Sequence, residues 1–362
     1  MHDGVERSGV LSVERLPVGS GRESWDQFVA QHPDATHCHR YGWQDVMARV
    51  FGHEGHYFVA RRANGALEGV LPLVTVRSAL FGHFVVSMPF LNYGGPIGSE
   101  RAVTALAGMA AAHAASTGAG LLELRSRRPW TDPGATWAAS TRKITVLLDL
   151  PAAPDAASAL WKRLDAKVRS QVRRPQKEGV TVRFGLDQVE PFFAVFSRHM
   201  RDLGTPTQPR ALFEAIASVF PDDVWFGCAY LDGAPIAAGC GFRWGTEFEM
   251  TWASALGAYK RLAPNMLLYW AFMERAAEER LRVFNFGRCT AGSGTHRFKE
   301  QWGTRDEQLW WYALSPRRPM TRRLAKTPSP DDGPYAWGPR VWRNLPLPLA
   351  NALGPQIVRY IP

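Results

Sequence analysis

Two short turn signals, Asn64-Gly65 and Asp232-Gly233, lie 168 positions apart in a chain of 362 residues, and each sits between two apolar runs. Both dipeptides supply the left-handed backbone that a tight hairpin needs. The first joins Tyr57-Phe58-Val59-Ala60 to Gly69-Val70-Leu71-Pro72-Leu73-Val74. The second joins Trp225-Phe226-Gly227-Cys228-Ala229-Tyr230 to the run from Pro235 to Phe242. Each predicted hairpin is preceded by two helical patterns, at Trp25/Phe28/Val29 and Val46/Val50 in one case and at 191–200 and 210–219 in the other. Each is followed by a strand (84–88; 247–252), a helix (about 101–117; from Pro264) and a returning strand (121–124; 283–286). The returning strands are 162 positions apart, nearly the same shift. A supersecondary unit recurring at one offset marks a duplicated domain, and this length suits two domains of roughly 150 to 180 residues. The expected class is α+β, with a mixed, mostly antiparallel twisted sheet flanked by helices in each domain. The expected divisions are a leader at 1–20, a first domain at 21–155, a basic junction helix at 156–180, a second domain at 181–315 and a Pro/Arg/Trp-rich tail at 316–362.

Charge narrows the partners. The formal net charge is +10, which points to an anion: a nucleic acid, a nucleotide diphosphate or an acidic membrane face. Much of it is concentrated in one helix. Trp161, Leu164, Val168 and Val172 form an apolar stripe, and Lys162, Arg163, Lys167, Arg169, Arg173, Arg174 and Lys177 cover the rest, with Pro175 and Gly179 expected to end it. A solvated face and an anion site both fit that pattern. The four cysteines, Cys38, Cys228, Cys240 and Cys289, are scattered without metal-ligand spacing, so reduced thiols and no metal site are expected. No run of 18 apolar residues occurs and the N-terminus lacks a signal-like stretch, so the expected location is cytoplasmic. The tail from Trp337 mixes Trp342, Leu345, Leu347, Leu349, Ile357 and Tyr360 with Arg340, Arg343 and Arg359. Such a segment either packs back on the body or lies on an anionic membrane at the inner face of the cytoplasmic membrane.

The candidate chemistry lies between Arg280 and Gly303, reading RLRVFNFGRCTAGSGTHRFKEQWG. A short strand runs into Gly287-Arg288, a small-residue loop with Gly292 and Gly294, and an aromatic-basic turn, His296-Arg297-Phe298-Lys299. A loop leaving a strand end is a usual place for a site, and glycines admit close backbone approach to a ligand. Glu247 and Glu249 alternate onto one face of a strand, where either could act as a general base. Tyr93-Gly94-Gly95-Pro96 precedes the alanine-rich helix, so its amide groups could face an anionic acceptor.

The order hairpin, central strand, helix, returning strand resembles the core of the GNAT acyltransferases. With Tyr93-Gly94-Gly95-Pro96, Lys167-Val168-Arg169, Lys177-Glu178-Gly179-Val180, Ala263-Pro264-Asn265, Phe286-Gly287-Arg288 and Arg297-Phe298-Lys299 in sequence, the chain from about Trp25 to Tyr312 resembles the FemABX family. Members of that family are best known for adding amino acids from aminoacyl-tRNA to peptidoglycan precursors. Gly287-Arg288-Cys289-Thr290, Phe298-Lys299-Glu300-Gln301-Trp302-Gly303 and the tail are most similar to the branch associated with exosortase and exopolysaccharide clusters. The resemblance implies tandem GNAT-like domains with a cleft between them. It implies catalytic roles for Lys299, Arg288 and Glu249, with Lys299 stabilising negative charge. It also implies substrate contacts from Tyr93, Gly94, Gly95, Lys167, Arg169, Asn265, Tyr269, Arg297 and Phe298.

No tightly bound cofactor is expected, the acyl donor being a co-substrate, either aminoacyl-tRNA or acyl-CoA. A CoA-using member carries a glycine-rich loop between its central strand and the following helix. Here that position reads Lys260-Arg261-Leu262-Ala263-Pro264-Asn265, without glycines and with a proline that removes a donor, which favours an anionic donor such as charged tRNA. The expected acceptor is an anionic, nucleotide- or lipid-linked envelope or polysaccharide precursor. Two other readings stay open: an acyl-CoA-dependent N-acyltransferase of an amino sugar, and a non-catalytic binding or regulatory protein of the same pathway.

Overall fold

A computed structural model describes residues 11–79, 81–134, 136–316 and 337–361. The chain divides into two units, one holding residues up to 48, 53–140 and 310–316, the other 49–52, 141–309 and 337–361.

In the first unit the chain runs β1 (Ser12–Arg15), α1 (Arg22–Gln31), α2 (Gly42–Phe51), β2 (Glu54–Arg61), β3 (Leu67–Ser78), β4 (Gly82–Val86), β5 (Ile97–Gly98), α3 (Glu100–Ser116), β6 (Leu121–Ser126) and β7 (Ala138–Ser140). The β2–β3 hairpin closes at Asn64-Gly65 with Gly65 at φ 82°, as its sequence predicts. The sheet order is β1-β2-β3-β4-β6-β15-β7, where β15 is the late strand Trp310–Leu314. All its pairs are antiparallel except β4 with β6, the two strands joined by the α3 crossover. Alanines at 102, 107, 110 and 114 let α3 lie close on Leu71, Leu73, Val85, Leu122 and Leu124.

The second unit runs β8 (Lys143–Asp149), α4 (Ala156–Arg163), α5 (Ala166–Lys177), β9 (Thr181–Phe184), α6 (Val189–Leu203), α7 (Arg210–Val219), β10 (Val224–Leu231), β11 (Ala234–Trp244), β12 (Glu247–Ala255), α8 (Pro264–Glu278), β13 (Val283–Thr290), α9 (Gly294–Glu300) and β14 (Arg305–Gln308). It finishes with the tail helices α10 (Trp337–Arg343) and α11 (Leu347–Val358). Its sheet order is β9-β10-β11-β12-β13-β8-β14, again with one parallel pair, β12 with β13, across the α8 crossover. Apart from the short β5, which pairs with β3 beside the main order, the two sheets therefore repeat each other strand for strand, and the predicted duplication holds. The core on the α8 side stacks Trp225 on Phe248 at 4.4 Å and sets Trp161 edge-on to Trp270 at 4.7 Å.

The expected divisions are corrected at three places. Lys143–Asp149, expected in the first domain, pairs with β13 and β14 in the second sheet. Trp310–Leu314, expected in the second, pairs with β6 and β7 in the first. Each sheet thus takes its sixth strand from the segment that follows the other unit, a non-local pairing that alternating patterns cannot reveal. The basic segment is not a linker, because α4 and α5 bury Leu160, Leu164, Val168 and Val172 in the second core. It is two helices rather than one: Leu164 is extended and Asp165 starts α5. Pro175 lies inside the last turn of α5, where the chain continues to Lys177. Residues 1–10 of the leader and the predicted linker at 328–334 lie outside the described residues. Among the described residues no helix is long and apolar enough to cross a membrane, and the four cysteines are buried and free.

Candidate active site

The second unit opens where its one parallel pair comes apart. β12 and β13 pair only from Glu247 with Val283 to Glu249 with Asn285, although β12 continues to Ala255 and β13 to Thr290. Beyond the fork the facing backbone groups of both strands are left unpaired with each other, and unpaired main-chain amides seek a partner. A bulge adds to the divergence: Cys240 faces Trp252 but Gly241 faces Met250, leaving Thr251 as the extra residue. Gly241 is required there, since a Cβ would stand 2.2 Å from the Glu249 carbonyl oxygen. The Thr251 hydroxyl is buried with no hydrogen-bond partner. Sequence reasoning missed this group, and only the register shift identifies it.

On β13 a second bulge sits between Asn285 and Arg288, with Gly287 at φ 71°. Asn285, fully buried, locks it: its Oδ1 accepts from the Thr145 hydroxyl at 2.6 Å and the Gly287 N–H at 2.8 Å, and its Nδ2 donates to Glu247 Oε1 at 2.7 Å. The carbonyls of Gly287 and Arg288 accept from Lys299 Nζ at 2.7 and 3.1 Å. Lys299 is only 3% exposed. Burial pulls its pKa down to about 8, opposed by the charges of Cys289 and Glu249 and reinforced by Arg288. Half of its molecules are therefore neutral near that pH.

The predicted basic turn is instead α9, a short helix that Ser293 caps by accepting from the His296 N–H at 3.2 Å. The His296 ring accepts the Gly292 N–H at 3.0 Å through Nδ1 and meets Asp306 at 2.9 Å through Nε2. This fixes the helix that delivers Lys299 inward. Phe298 lies edge-on to Tyr269 at 5.1 Å, and Tyr269 stacks on Phe286 at 5.4 Å. Lys143 Nζ donates to the Thr290 hydroxyl at 2.8 Å, with its pKa lowered by burial and by Arg288.

Of the predicted residues, the fold brings Lys299, Arg288, Glu249, Tyr269 and Phe298 to this fork. Arg288 is half-buried and Glu249 is 3% exposed. Arg297 points its guanidinium to the Gly292 carbonyl at 3.1 Å on the outer side of α9. Asn265 is the second residue of α8. Lys167 and Arg169 lie on α5, whose cations Arg169, Arg173, Arg174 and Lys177 line an open groove of about 350 Å³. Arg169 donates to the Leu164 carbonyl and Arg174 to that of Arg261 at 3.1 Å.

Tyr93, Gly94 and Gly95 belong to the first unit, where Tyr93 and Gly95 line a cavity of about 170 Å³ together with Arg125, Arg127 and Trp130. The expected use of the glycine amides is corrected for Gly95, whose N–H donates to the Arg125 carbonyl at 2.8 Å. A Cβ on Gly95 would meet Ser126 Oγ at 2.3 Å, so this glycine serves close strand packing. Nor does it begin α3: Ile97-Gly98 forms β5, and Ser99 caps the helix through the Ala102 N–H. The cationic lining was not foreseen. The Arg127 guanidinium stands 5.3 Å over the Tyr93 ring, and buried Arg125 donates to the Leu91 carbonyl at 2.9 Å. Beside them His39 is held neutral, its pKa lowered to about 4 by burial.

A sheet with a single parallel pair joined by a crossover helix is a GNAT-like arrangement; it occurs in both units, and in the second the pair forks. Residues 162–300 match the family model described as an acetyltransferase (GNAT) domain. Three solved structures share the tandem fold. FemX aligns with a TM-score of 0.62 at 14% identity, covering 83% of this chain and 97% of its own. The C-terminal domain of a putative lysylphosphatidylglycerol synthetase from Agrobacterium fabrum gives 0.54 at 14%, covering 80% and 90%. A tandem GNAT protein from the clavulanic acid biosynthesis pathway gives 0.50 at 13%, covering 85% and 99%. No curated protein sequence matches. The second unit thus matches a GNAT domain model, and the chain as a whole shares its duplicated GNAT-like fold with these structures.

Proposed function

We propose that the chain is an N-acyltransferase of FemAB type that takes an aminoacyl group from charged tRNA. The acceptor is the amine of an anionic, nucleotide- or lipid-linked envelope or exopolysaccharide precursor. The observation that carries the choice of donor is the start of α8. Ala263 stands at φ 55° and Pro264 at the first helical position, after a 3₁₀ turn over Gly257–Leu262. A CoA pyrophosphate needs a cradle of main-chain N–H groups at this helix end. Pro264 removes one, and the turn leaves Lys260 and Arg261 exposed instead, as a polyanionic donor would require.

In the reaction the neutral acceptor amine attacks the ester carbonyl. A C–N bond forms, the C–O bond to the ribose breaks, and the amine's proton ends on the departing hydroxyl. The cation of Lys299, with Arg288, opposes charge developing on the carbonyl oxygen, and Glu249 relays the proton. The fork's free strand edges hold the amide-bearing acceptor or product in register. One structural neighbour is by name a synthetase of an aminoacylated lipid, which keeps lipid-linked acceptors in view.

The test is a mass-spectrometric transfer screen with the purified chain. Acetyl- and longer acyl-CoAs are offered in one arm and aminoacylated tRNAs in the other, each with UDP-amino sugars and lipid-linked acceptors. An amino-acid mass arriving only from charged tRNA supports the proposal. An acyl mass from CoA replaces it with the amino-sugar N-acyltransferase reading, and no transfer with any pair replaces it with a binding protein.

A further inference from the structure

Eight large apolar side chains stand exposed among the described residues, and five of them, Leu203, Val341, Leu349, Leu353 and Ile361, belong to the tail or to the helix end on which it packs. This is not a loose segment. Ala350 and Gly354 press α11 against the body so closely that a Cβ on Gly354 would meet the Thr207 N at 2.9 Å. Gly204 receives Pro339 in the same way, with its oxygen 2.5 Å from a Cβ built there. Arg201 donates to the Leu345 carbonyl at 3.0 Å and Arg343 to that of Leu203 at 3.2 Å. Leu349 and Leu353, one turn apart, are thus held outward by a helix whose other side is fixed, at 44% and 43% exposure.

Exposed leucines on an ordered helix mark a contact surface. The charge around them identifies what covers it. Residues 337–361 hold Arg340, Arg343 and Arg359 and no acidic residue, so a second copy across a two-fold axis would set arginines against arginines. We propose that this face seats the protein on an anionic bilayer, with Leu349 and Leu353 entering the headgroup boundary and Arg340 and Arg343 meeting lipid phosphates. A helix of 12 residues lies along the surface rather than through it.

The experiment is co-sedimentation of the full chain with vesicles of phosphatidylcholine alone or with a third replaced by phosphatidylglycerol, read beside far-UV circular dichroism. It needs no turnover and is independent of the acyl donor. Binding is expected only with phosphatidylglycerol. It should fall at least tenfold in Leu349→Ser/Leu353→Ser, and about fivefold or more in Arg340→Glu, the equivalent of about 1 kcal/mol per basic group at the surface. Should the leucine pair disturb folding, Arg340→Glu, at an exposed position, still gives the readout. Equal binding to both vesicle types, or partitioning unchanged in the variants, overturns the proposal. So does a wild-type dimer in sedimentation equilibrium that the leucine variant converts to monomer.

Discussion

Replacing Lys299 by Met keeps an apolar stem of similar length and removes only the ammonium, so it separates the charge from the packing. Two effects oppose each other in the folded state. The carbonyls of Gly287 and Arg288 lose their donor, which costs about 1–3 kcal/mol for each buried group left unsatisfied. Against this, the variant no longer buries a cation whose pKa falls from the ordinary 10.5 to about 8, a penalty of about 3 kcal/mol at neutral pH. Near pH 7 the variant should therefore lie within about 2 kcal/mol of wild type. The pH dependence is sharper. The folded chain releases this proton near pH 8 while the unfolded chain keeps it to 10.5, so across that window the unfolded state binds more protons and wild-type stability rises with pH. Between about pH 7 and about pH 10 the wild type should gain about 2.5 kcal/mol relative to Lys299→Met. Urea titrations of both proteins at each pH give the difference directly, and other titrating groups cancel. A stability difference independent of pH would refute the reasoning, because the lysine would then titrate alike in both states. Activity runs the opposite way: a rate that depends on the Lys299 cation should fall as pH rises through about 8, and should drop on the order of a hundredfold in the variant.

Asn285→Ala leaves the Gly287 N–H and the Thr145 hydroxyl without their partner. It should cost about 2–5 kcal/mol and lower the transfer rate, measured by urea titration and single-turnover assay. Gly95→Ala forces a Cβ against Ser126 Oγ and the Arg125 carbonyl, 2.3 and 2.8 Å away. The expected loss is about 2–3 kcal/mol, read as a lowered midpoint in thermal melts. Lys167→Glu/Lys177→Glu reverses two exposed charges on α5; it should weaken tRNA binding in filter assays and reduce the slope of log affinity against log salt by roughly 1.5–2.

What could be read from the chain beforehand was what depends on near neighbours. Asn64-Gly65, Asp232-Gly233 and Pro264 each impose a backbone state on the spot, so the hairpins, the crossover helices and their repetition were accessible. The sixth strand of each sheet was not, because the alternation in Lys143–Asp149 fits either sheet and its partners lie more than 130 residues away. The Phe298-Lys299 motif marked Lys299 as a catalytic candidate, but its burial was not legible. Its inward course depends on the Gly287 bulge, whose lock is the side chain of Asn285, an ordinary strand residue in the sequence. The arginines around the cavity of the first unit were hidden for another reason: Arg125 and Arg127 become neighbours of Tyr93 only when β6 is set beside β4. Thr251 carries no pattern at all, being marked only by a ladder that skips it.

The late strand Trp310–Leu314 has a consequence for how the protein is made. The ribosome finishes β7 at Ser140, but the strand that belongs between β6 and β7 is still unwritten, and about 170 residues separate the two. At ordinary synthesis speeds that is a wait of roughly 10–35 s. During it the first sheet exposes the edge of β6 on a nascent chain that is already long. Meanwhile β8 has emerged and has no sheet to join until β13 appears. A nascent chain with a vacant slot and a spare strand side by side invites wrong pairing, and early-made sequence here depends on the last strand translated before the tail.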